Sequence, residues 1–146
     1  MPEKQTIERV QEDAREGKSP STQAGEFVRE EIHHVREGKH GARSPQQAIA
    51  IGLSKARRAG IKLSPPKGSS TVRRKAAEDE RAAANKNHKP SRTRSRAVEG
   101  ALKRESHRST SRAALSRQAE RAAKKRSAQS RSKAAKKAAR TRKAHS

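Results

Sequence analysis

The sequence predicts a mostly α-helical protein, with a small N-terminal module of about three short helices and a largely disordered, helix-prone cationic tail. Two observations lead to this prediction. Twelve of the sixteen large apolar residues, Met included, precede residue 64, so any hydrophobic core belongs to the first half. The chain also carries 38 Lys and Arg against 15 Asp and Glu, while only 15 of its 146 residues are Leu, Ile, Val or Phe. That composition is typical of disordered chains. We therefore place the module at residues 1–66 and the tail at residues 67–146.

The first two helices are predicted from apolar residues at helical spacing. The first, about residues 7–16, has Thr6 as a candidate N-cap and Gly17 just past its end. Its apolar face consists of Ile7, Val10 and Ala14. The second, about residues 23–37, ends at Gly38. Its apolar stripe consists of Ala24, Val28, Ile32 and Val35.

The third predicted helix has the clearest start and stop signals. Ser44, Pro45 and Gln47 combine an N-cap, a Pro at the first helical position and the third-position Gln of a capping box. Gly60 follows as the residue after the C-cap, and Ile61 stands beside it for the hydrophobic contact of a Schellman ending. The apolar face between these signals consists of Ile49, Leu53 and Ala56.

The stability of this module and the state of the tail depend on partners. A core of about ten aliphatic side chains is marginal at this size, so a stable free fold and partial order completed by a partner both stay open. In the tail, residues 72–84 and 112–126 are rich in good helix formers, but their apolar faces hold little beyond Ala. Their positive charges repel one another in water. We therefore expect the tail to form helix on binding a polyanion.

Sequence motifs of enzymes are absent. The chain has no Walker-type phosphate loop, no dinucleotide glycine pattern, no nucleophile elbow and no His-Glu-x-x-His. Acids in the first helices alternate with Arg at helical spacing, which is typical of a solvated, ion-paired face. With no Cys, thiolate metal sites and disulfides are excluded. We predict a protein that is not an enzyme, with no catalytic residues and no cofactor.

Three histidines, His33, His34 and His40, lie close together in the sequence with acidic residues nearby. His33 and Glu37 are four residues apart on a helix, which would allow a weak zinc or nickel site. However, adjacent histidines on a helix point about 100° apart, and structural zinc sites usually need four ligands. We interpret these residues as surface histidines and predict no metal site.

Cations at both ends of the third helix form the most specific candidate site. The loop of residues 38–44 is flexible and basic and leads into a helix N-terminus, which favours anions. At the other end, Lys55 and Arg58 are three residues apart and can point together at a phosphate. Compensation of the helix dipole is the alternative, but residues 41–70 contain six bases and no acid, which favours anion contact. Residues 64–67 (SPPK) partly resemble minor-groove motifs of histone tails, although a Pro-stiffened linker explains them better.

The tail supplies most of the predicted nucleic-acid contacts. Within residues 106–146 there are eight Arg and six Lys, and Glu120 is the single acid. With one Phe and no Tyr or Trp, the chain has no platform for stacking single-stranded bases, so we expect contacts to the phosphate backbone without sequence specificity. The predicted nucleic-acid-binding residues are Lys39, Arg43, Lys55, Arg57, Arg58, Lys62, Lys67, Arg117, Arg121, Lys124, Lys125, Arg126, Lys133, Lys136, Lys137, Arg140, Arg142 and Lys143.

Two stretches resemble a known family. Residues 17–32 (GKSPSTQAGEFVREEI) and residues 44–60 (SPQQAIAIGLSKARRAG) are similar to a family of small basic bacterial proteins described as a domain of unknown function, some of whose members are labelled DNA-binding. The resemblance covers about residues 3–67. The tail resembles the Lys/Ala-rich arms of linker histones and bacterial histone-like proteins in composition only. The resemblance implies a bacterial origin and DNA association, without a mechanism.

These observations favour a non-enzymatic, nucleoid-associated, histone-like protein of the cytoplasm that binds duplex DNA by neutralising phosphates. RNA or the ribosome is an alternative target. A third hypothesis makes the first half a protein-interaction module with a solubilising tail, and residues 1–40 could contact a protein partner or a second copy. No apolar run is long enough to span a bilayer, so we expect no membrane association.

Overall fold

The structure is a computed structural model that describes residues 2–85, 87 and 89–145. Its described part contains seven α-helices, four of which lie in the region predicted to be disordered. Their bounds are α1 Lys4–Arg15, α2 Pro20–Arg36, α3 Pro45–Arg58, α4 Ser70–Ala84, α5 Arg92–Lys103, α6 Arg112–Lys125 and α7 Ala128–Ala144. The prediction of three helices with a disordered tail, helical only on binding, is therefore wrong.

The first three helices end in the same way, as the sequence predicted. The residues after their C-caps, Gly17, Gly38 and Gly60, have φ angles of +73°, +79° and +98°, a region that favours glycine. At the end of α3, the N–H of Gly60 donates to the carbonyl of Arg57, and the N–H of Ile61 donates to the carbonyl of Ala56. These are the two bonds of a Schellman motif, and α1 and α2 end with the same pair.

Serine side chains begin most of the helices, because the hydroxyl accepts a hydrogen bond from an otherwise unpaired backbone N–H. The serine N-caps with this bond are Ser19, Ser44, Ser69, Ser91 and Ser127. Pro20 and Pro45 occupy the first position of α2 and α3. Three of these serines therefore stabilise helices in the region that was predicted to be disordered from its charge.

Three details of the predicted helix starts are wrong. Helix α2 begins at Pro20, three residues before the predicted start, with Ser19 as its N-cap. Thr6 is not an N-cap: α1 begins at Lys4 with Glu3 as the N-cap, and Thr6 is buried within the helix. The capping box of α3 is incomplete, because the side chain of Gln47 accepts from the N–H of Arg43 (2.6 Å). A capping box would instead satisfy the N–H of Ser44.

The core lies between α1, α2 and α3. Ala24, Phe27, Ala56 and Ile61 form a buried cluster, against which the partly buried side chains of α1 and α3 pack; these are Ile7, Val10 and Leu53, together with Leu63. The close crossing of α2 and α3 depends on Gly52. A Cβ atom there would lie 2.6 Å from the Cα of Val28, so the two helices touch through backbone at this point.

A second contact region joins the loop after α2 to the end of α5. Val35, Ala42 and Ala48 form a small buried cluster. The N–H of Gly41 donates to the carbonyl of Leu102 (2.7 Å), and the N–H of Ala42 donates to that of Ser106. Backbone hydrogen bonds thus hold α5, although no residue within it is buried.

Helix α4 packs against α3 with very little hydrocarbon. Its buried residues are Ala76 and Asp79. The number of large apolar side chains did not predict this packing, because an Ala and a paired carboxylate provide it. Ser54 and Arg58 of α3 supply the partners of Asp79.

The chain divides into two compact units, residues 1–111 and residues 112–146. The first contains α1 to α5, and the second contains α6 and α7. None of the helices in the described part of the chain is both long and apolar enough to cross a membrane.

Candidate nucleic-acid interface

A basic cleft in the first unit is lined mainly by α3 and α5. Its volume is about 1040 Å³, and α2, α4, the loop at residues 39–40 and the segment at residues 89–91 contribute to its lining. Six Lys and Arg line it against two acids, Glu31 and Glu99. The lining cations are Lys39, Lys55, Arg58, Lys75, Lys89 and Arg94. The excess of positive charge in a concave surface attracts anions.

Three of these cations were expected from the sequence and three were not. Lys39, Lys55 and Arg58 belong to the predicted set, whereas the charge pattern did not single out Lys75, Lys89 or Arg94. The last three come from the region that was expected to be disordered. Only the packing of α4 and the docking of α5 bring them opposite α3.

The cations at the end of α3 are held by acids from other helices. Lys55 Nζ donates to a carboxylate oxygen of Glu31, and Arg58 Nε donates to Asp79 (2.8 Å). Arg57 is buried; its guanidinium donates to the carbonyl of Ser64 (3.3 Å) and lies 4.0 Å from Glu80. The positive charge at the end of α3 is therefore balanced by carboxylates of α2 and α4, which are distant in the sequence and close in space.

The other predicted cations of the first unit are exposed. Arg43 lies 3.8 Å from Glu105, and Lys62 and Lys67 lie in the segment between α3 and α4. Lys39 donates to Glu3 (3.0 Å), and this hydrogen bond raises the pKa of Lys39 above its ordinary value. Lys39 therefore stays a cation over the whole physiological pH range.

Buried acids and histidines adjoin the cleft at its Lys55 end. Glu30 and Glu31 of α2 are both buried. The N–H of Glu3 donates to both carboxylate oxygens of Glu30 at 3.3 Å. Hydrogen bonds with His34 (2.9 Å) and Lys39 lower the pKa of Glu3 from 4.5 to about 2. These contacts fasten the start of α1 to α2.

His34 and His40 are not the surface residues that the sequence suggested. Their side chains are 13% and 14% exposed, and only His33 of this group projects into solvent. The Schellman turn at Gly38 returns the chain, so that His40 lies 3.0 Å from Glu31. Glu31 and His34 are three residues apart on α2, and that spacing was the signal available in the sequence. The contact with His40 depends on the turn.

The second unit carries thirteen Lys and Arg against a single acid, Glu120. On α6, Arg117, Arg121 and Lys124 share one exposed face at helical spacing, and Lys125 and Arg126 follow it. On α7, five exposed cations lie within about a third of the helix circumference. This cationic face of α7 consists of Lys133, Lys136, Lys137, Arg140 and Lys143. Arg131 and Arg142 lie on the opposite side, so Arg142 is the one predicted contact on α7 that lies outside this face.

The N-terminal part of the chain matches a family that has been recognised but not assigned a role. Residues 4–68 match a family of unknown function, DUF6496, which confirms the resemblance seen over residues 3–67. That description assigns no ligand or activity. No curated protein and no solved structure matches the chain.

Proposed function

We propose that the protein is a nucleoid-associated, histone-like protein of the cytoplasm that binds duplex DNA without sequence specificity by neutralising phosphates. The observation that carries the proposal is the cationic face of α7. Its five Lys and Arg side chains line a helix of 17 residues that is about 25 Å long. Duplex DNA presents about one negative charge per 1.7 Å of axis, so such a face can meet many phosphates at once.

A preformed helix makes this binding more favourable than the folding-on-binding expected from the sequence. An unfolded tail would lose backbone entropy of about 1–2 kcal/mol for each residue that it orders on the DNA. Helices α6 and α7 are already formed, with Ser127 capping α7. Phosphate neutralisation then removes the repulsion between their cations, which adds to the affinity without an ordering cost of that size.

The basic cleft supplies a second contact region in the first unit. Lys75, Lys89 and Arg94 belong to its lining and give it positive charge beyond the cations paired with Glu31 and Asp79. A cleft that concentrates one sign of charge raises the local concentration of anions. We assign it a supporting role, because the second unit carries thirteen Lys and Arg against one acid, whereas two of the six cations of the cleft are paired with buried carboxylates.

The experiment is fluorescence anisotropy of the full chain with a labelled random duplex at several salt concentrations. With about ten phosphates neutralised, the binding constant should fall by about five powers of ten between 50 and 200 mM salt. A flat salt dependence would contradict phosphate neutralisation. Measuring duplex DNA and duplex RNA of the same sequence tests the target; tighter binding to RNA would replace DNA by RNA.

Two double variants test the role of the α7 face at equal change of net charge. Lys136→Gln with Arg140→Gln removes two cations from the face, and Arg131→Gln with Arg142→Gln removes two from the opposite side. We expect the first variant to lower the slope of log K against log salt by about 1.8, and the second to lower it much less. Equal losses would show that total charge matters and the face does not.

A further inference from the structure

We infer that Glu31, His34 and His40 form a binding site for a divalent transition-metal ion, with zinc as the metal of first choice. In the described part of the chain, a carboxylate oxygen of Glu31 and one ring nitrogen from each histidine all lie within 4.8 Å of one another. Two imidazoles and one carboxylate are a ligand set that zinc accepts, with a fourth position left for water.

The spacing of the donor atoms suits such an ion. His40 Nε2 lies 3.0 Å from Glu31 Oε2, and His34 Nδ1 lies 3.7 Å from Glu31 Oε1. Ligands about 2.1 Å from a tetrahedral ion are about 3.4 Å apart, and each ring nitrogen lies near this spacing from a different oxygen of Glu31, so both oxygens of the carboxylate face the position of the ion. The site is nearly closed to solvent, since Glu31 is fully buried and both histidines are largely buried.

The outer nitrogen of each histidine is already oriented as in metal sites. His40 Nδ1 lies 2.8 Å from the carbonyl oxygen of Gly41, which can only accept, so this nitrogen carries a proton. His34 Nε2 lies 2.9 Å from the carboxylate of Glu3. Histidines that bind metals usually donate the other ring N–H to a carbonyl or a carboxylate, which turns the free lone pair toward the ion. Here both lone pairs turn toward Glu31.

Without a cation this arrangement is electrostatically incomplete. A neutral His40 that donates to Gly41 would face the Glu31 carboxylate at 3.0 Å with its lone pair, so acceptor would oppose acceptor. The cluster also holds three carboxylates, on Glu3, Glu30 and Glu31, against the ammonium groups of Lys39 and Lys55. A metal ion between the three donors resolves the opposed acceptors and supplies the missing positive charge.

Lys55 is the residue that competes with the ion. Its ammonium donates to Glu31 Oε1, while Glu31 Oε2 faces His40. The carboxylate of Glu30 lies 4.0 Å from the same ammonium, and Lys55 is partly exposed, so it can move to Glu30 or to solvent when the ion binds. Replacing Lys55 by Met should therefore tighten metal binding.

The test is calorimetric titration of the untagged, chelator-treated full chain with zinc chloride. We expect one zinc ion per chain, and thermal unfolding shifted upward by several degrees at about 100-fold excess over the dissociation constant. Cobalt(II) provides an independent readout, because its visible absorption bands become much stronger when the ion passes from six-coordinate in water to a four-coordinate protein site.

His40→Gln is the decisive variant, because the Gln amide can still donate to Glu31 and keep the fold while the imidazole ligand is lost. Loss of an outer-shell partner typically weakens metal binding 10–100-fold, and we expect Glu3→Ala to show a loss of this size. His40→Gln and His34→Gln each remove a ligand, so we expect them to weaken zinc binding by more than that. The adjacent and exposed His33 gives the matched control, and His33→Gln should leave zinc binding unchanged.

Two results would overturn the site. One is the absence of zinc binding by the wild-type chain. The other is binding that persists in the His34→Gln, His40→Gln double variant or that falls equally in His33→Gln. Circular dichroism of each variant shows whether a loss reflects the site or the fold.

Discussion

Arg58 Nε donates a 2.8 Å hydrogen bond to Oδ1 of Asp79, and this bond joins the end of α3 to α4. Asp79 is 2% exposed and also accepts a 2.6 Å hydrogen bond from the hydroxyl of Ser54. A carboxylate from the region expected to be disordered is thus buried against the third helix. Arg58 lines the basic cleft and at the same time helps to hold α4, which contributes Lys75 to the same lining.

The first prediction concerns this buried carboxylate. Asp79→Ala should lower the free energy of unfolding by about 1–3 kcal/mol, because it removes two hydrogen bonds, one of them charged on both sides. Urea denaturation followed by circular dichroism measures the change. Glu78→Ala is the control: Glu78 is exposed and lies 3.6 Å from Lys75, so its loss should cost less than about 0.5 kcal/mol. Equal costs would show that Asp79 does not hold α4.

The second prediction concerns the crossing of α2 and α3. Gly52→Ala should destabilise the fold by about 1–3 kcal/mol, because the new methyl group would lie 2.6 Å from the Cα of Val28 and force two backbones apart. Gly25→Ala on α2 is the matched control, since a Cβ atom there meets nothing within 4 Å. That control should stabilise the helix by about 0.5–1 kcal/mol. Urea denaturation followed by circular dichroism measures both changes. A Gly52→Ala protein as stable as the wild type would refute the close crossing.

The third prediction is a dependence on pH that comes from Glu3. Its pKa of about 2 in the folded chain lies below the ordinary 4.5, so its contribution to stability is complete above pH 4.5 and is lost as the pH falls toward 2. Urea midpoints of the wild type and Glu3→Gln in chelator should differ at pH 6 and converge near pH 2. A constant difference between the two proteins over this range would contradict the prediction.

The fourth prediction tests the cleft as a contact for DNA. Arg94→Gln removes a lining cation from α5 and should lower the salt slope of DNA binding by about 0.9, the value for one phosphate contact. Arg96→Gln, on the same helix and outside the described lining of the cleft, changes the net charge equally and should leave the slope nearly unchanged. If Arg94→Gln and Arg96→Gln lower the salt slope equally, net charge determines the DNA affinity and the cleft is not a specific contact.

Local signals in the sequence were sufficient for the ends of the first three helices and for the start of α3. Gly17, Gly38 and Gly60 mark the residues after the C-caps, and Ser44 with Pro45 marks the start of α3. These signals act within a few residues, so no tertiary information is needed to interpret them. Thr6 shows where they fail, since a residue that can cap a helix can also be buried inside one.

The candidate sites could be predicted only in part. The charge pattern alone located the cationic residues of α6 and α7, because the density of Lys and Arg is visible in the sequence without knowledge of the fold. The burial of Arg57 could not be predicted, because its contact with the carbonyl of Ser64 depends on how the chain turns after α3. The grouping of Glu31 with His40 likewise requires the turn at Gly38.

The sequence by itself determined that this protein is helical, strongly basic and punctuated by Ser and Gly, because helix caps and charge density are properties of neighbouring residues. Only the tertiary structure decided which cations are paired, that α4 and α5 fold without large apolar faces, and that two histidines close around a buried carboxylate. The physical reason is that ion pairs and backbone contacts such as Arg58 with Asp79 and Gly41 with Leu102 join residues far apart in the chain. The periodicity of apolar residues does not predict such contacts, because it describes only neighbouring positions in the sequence.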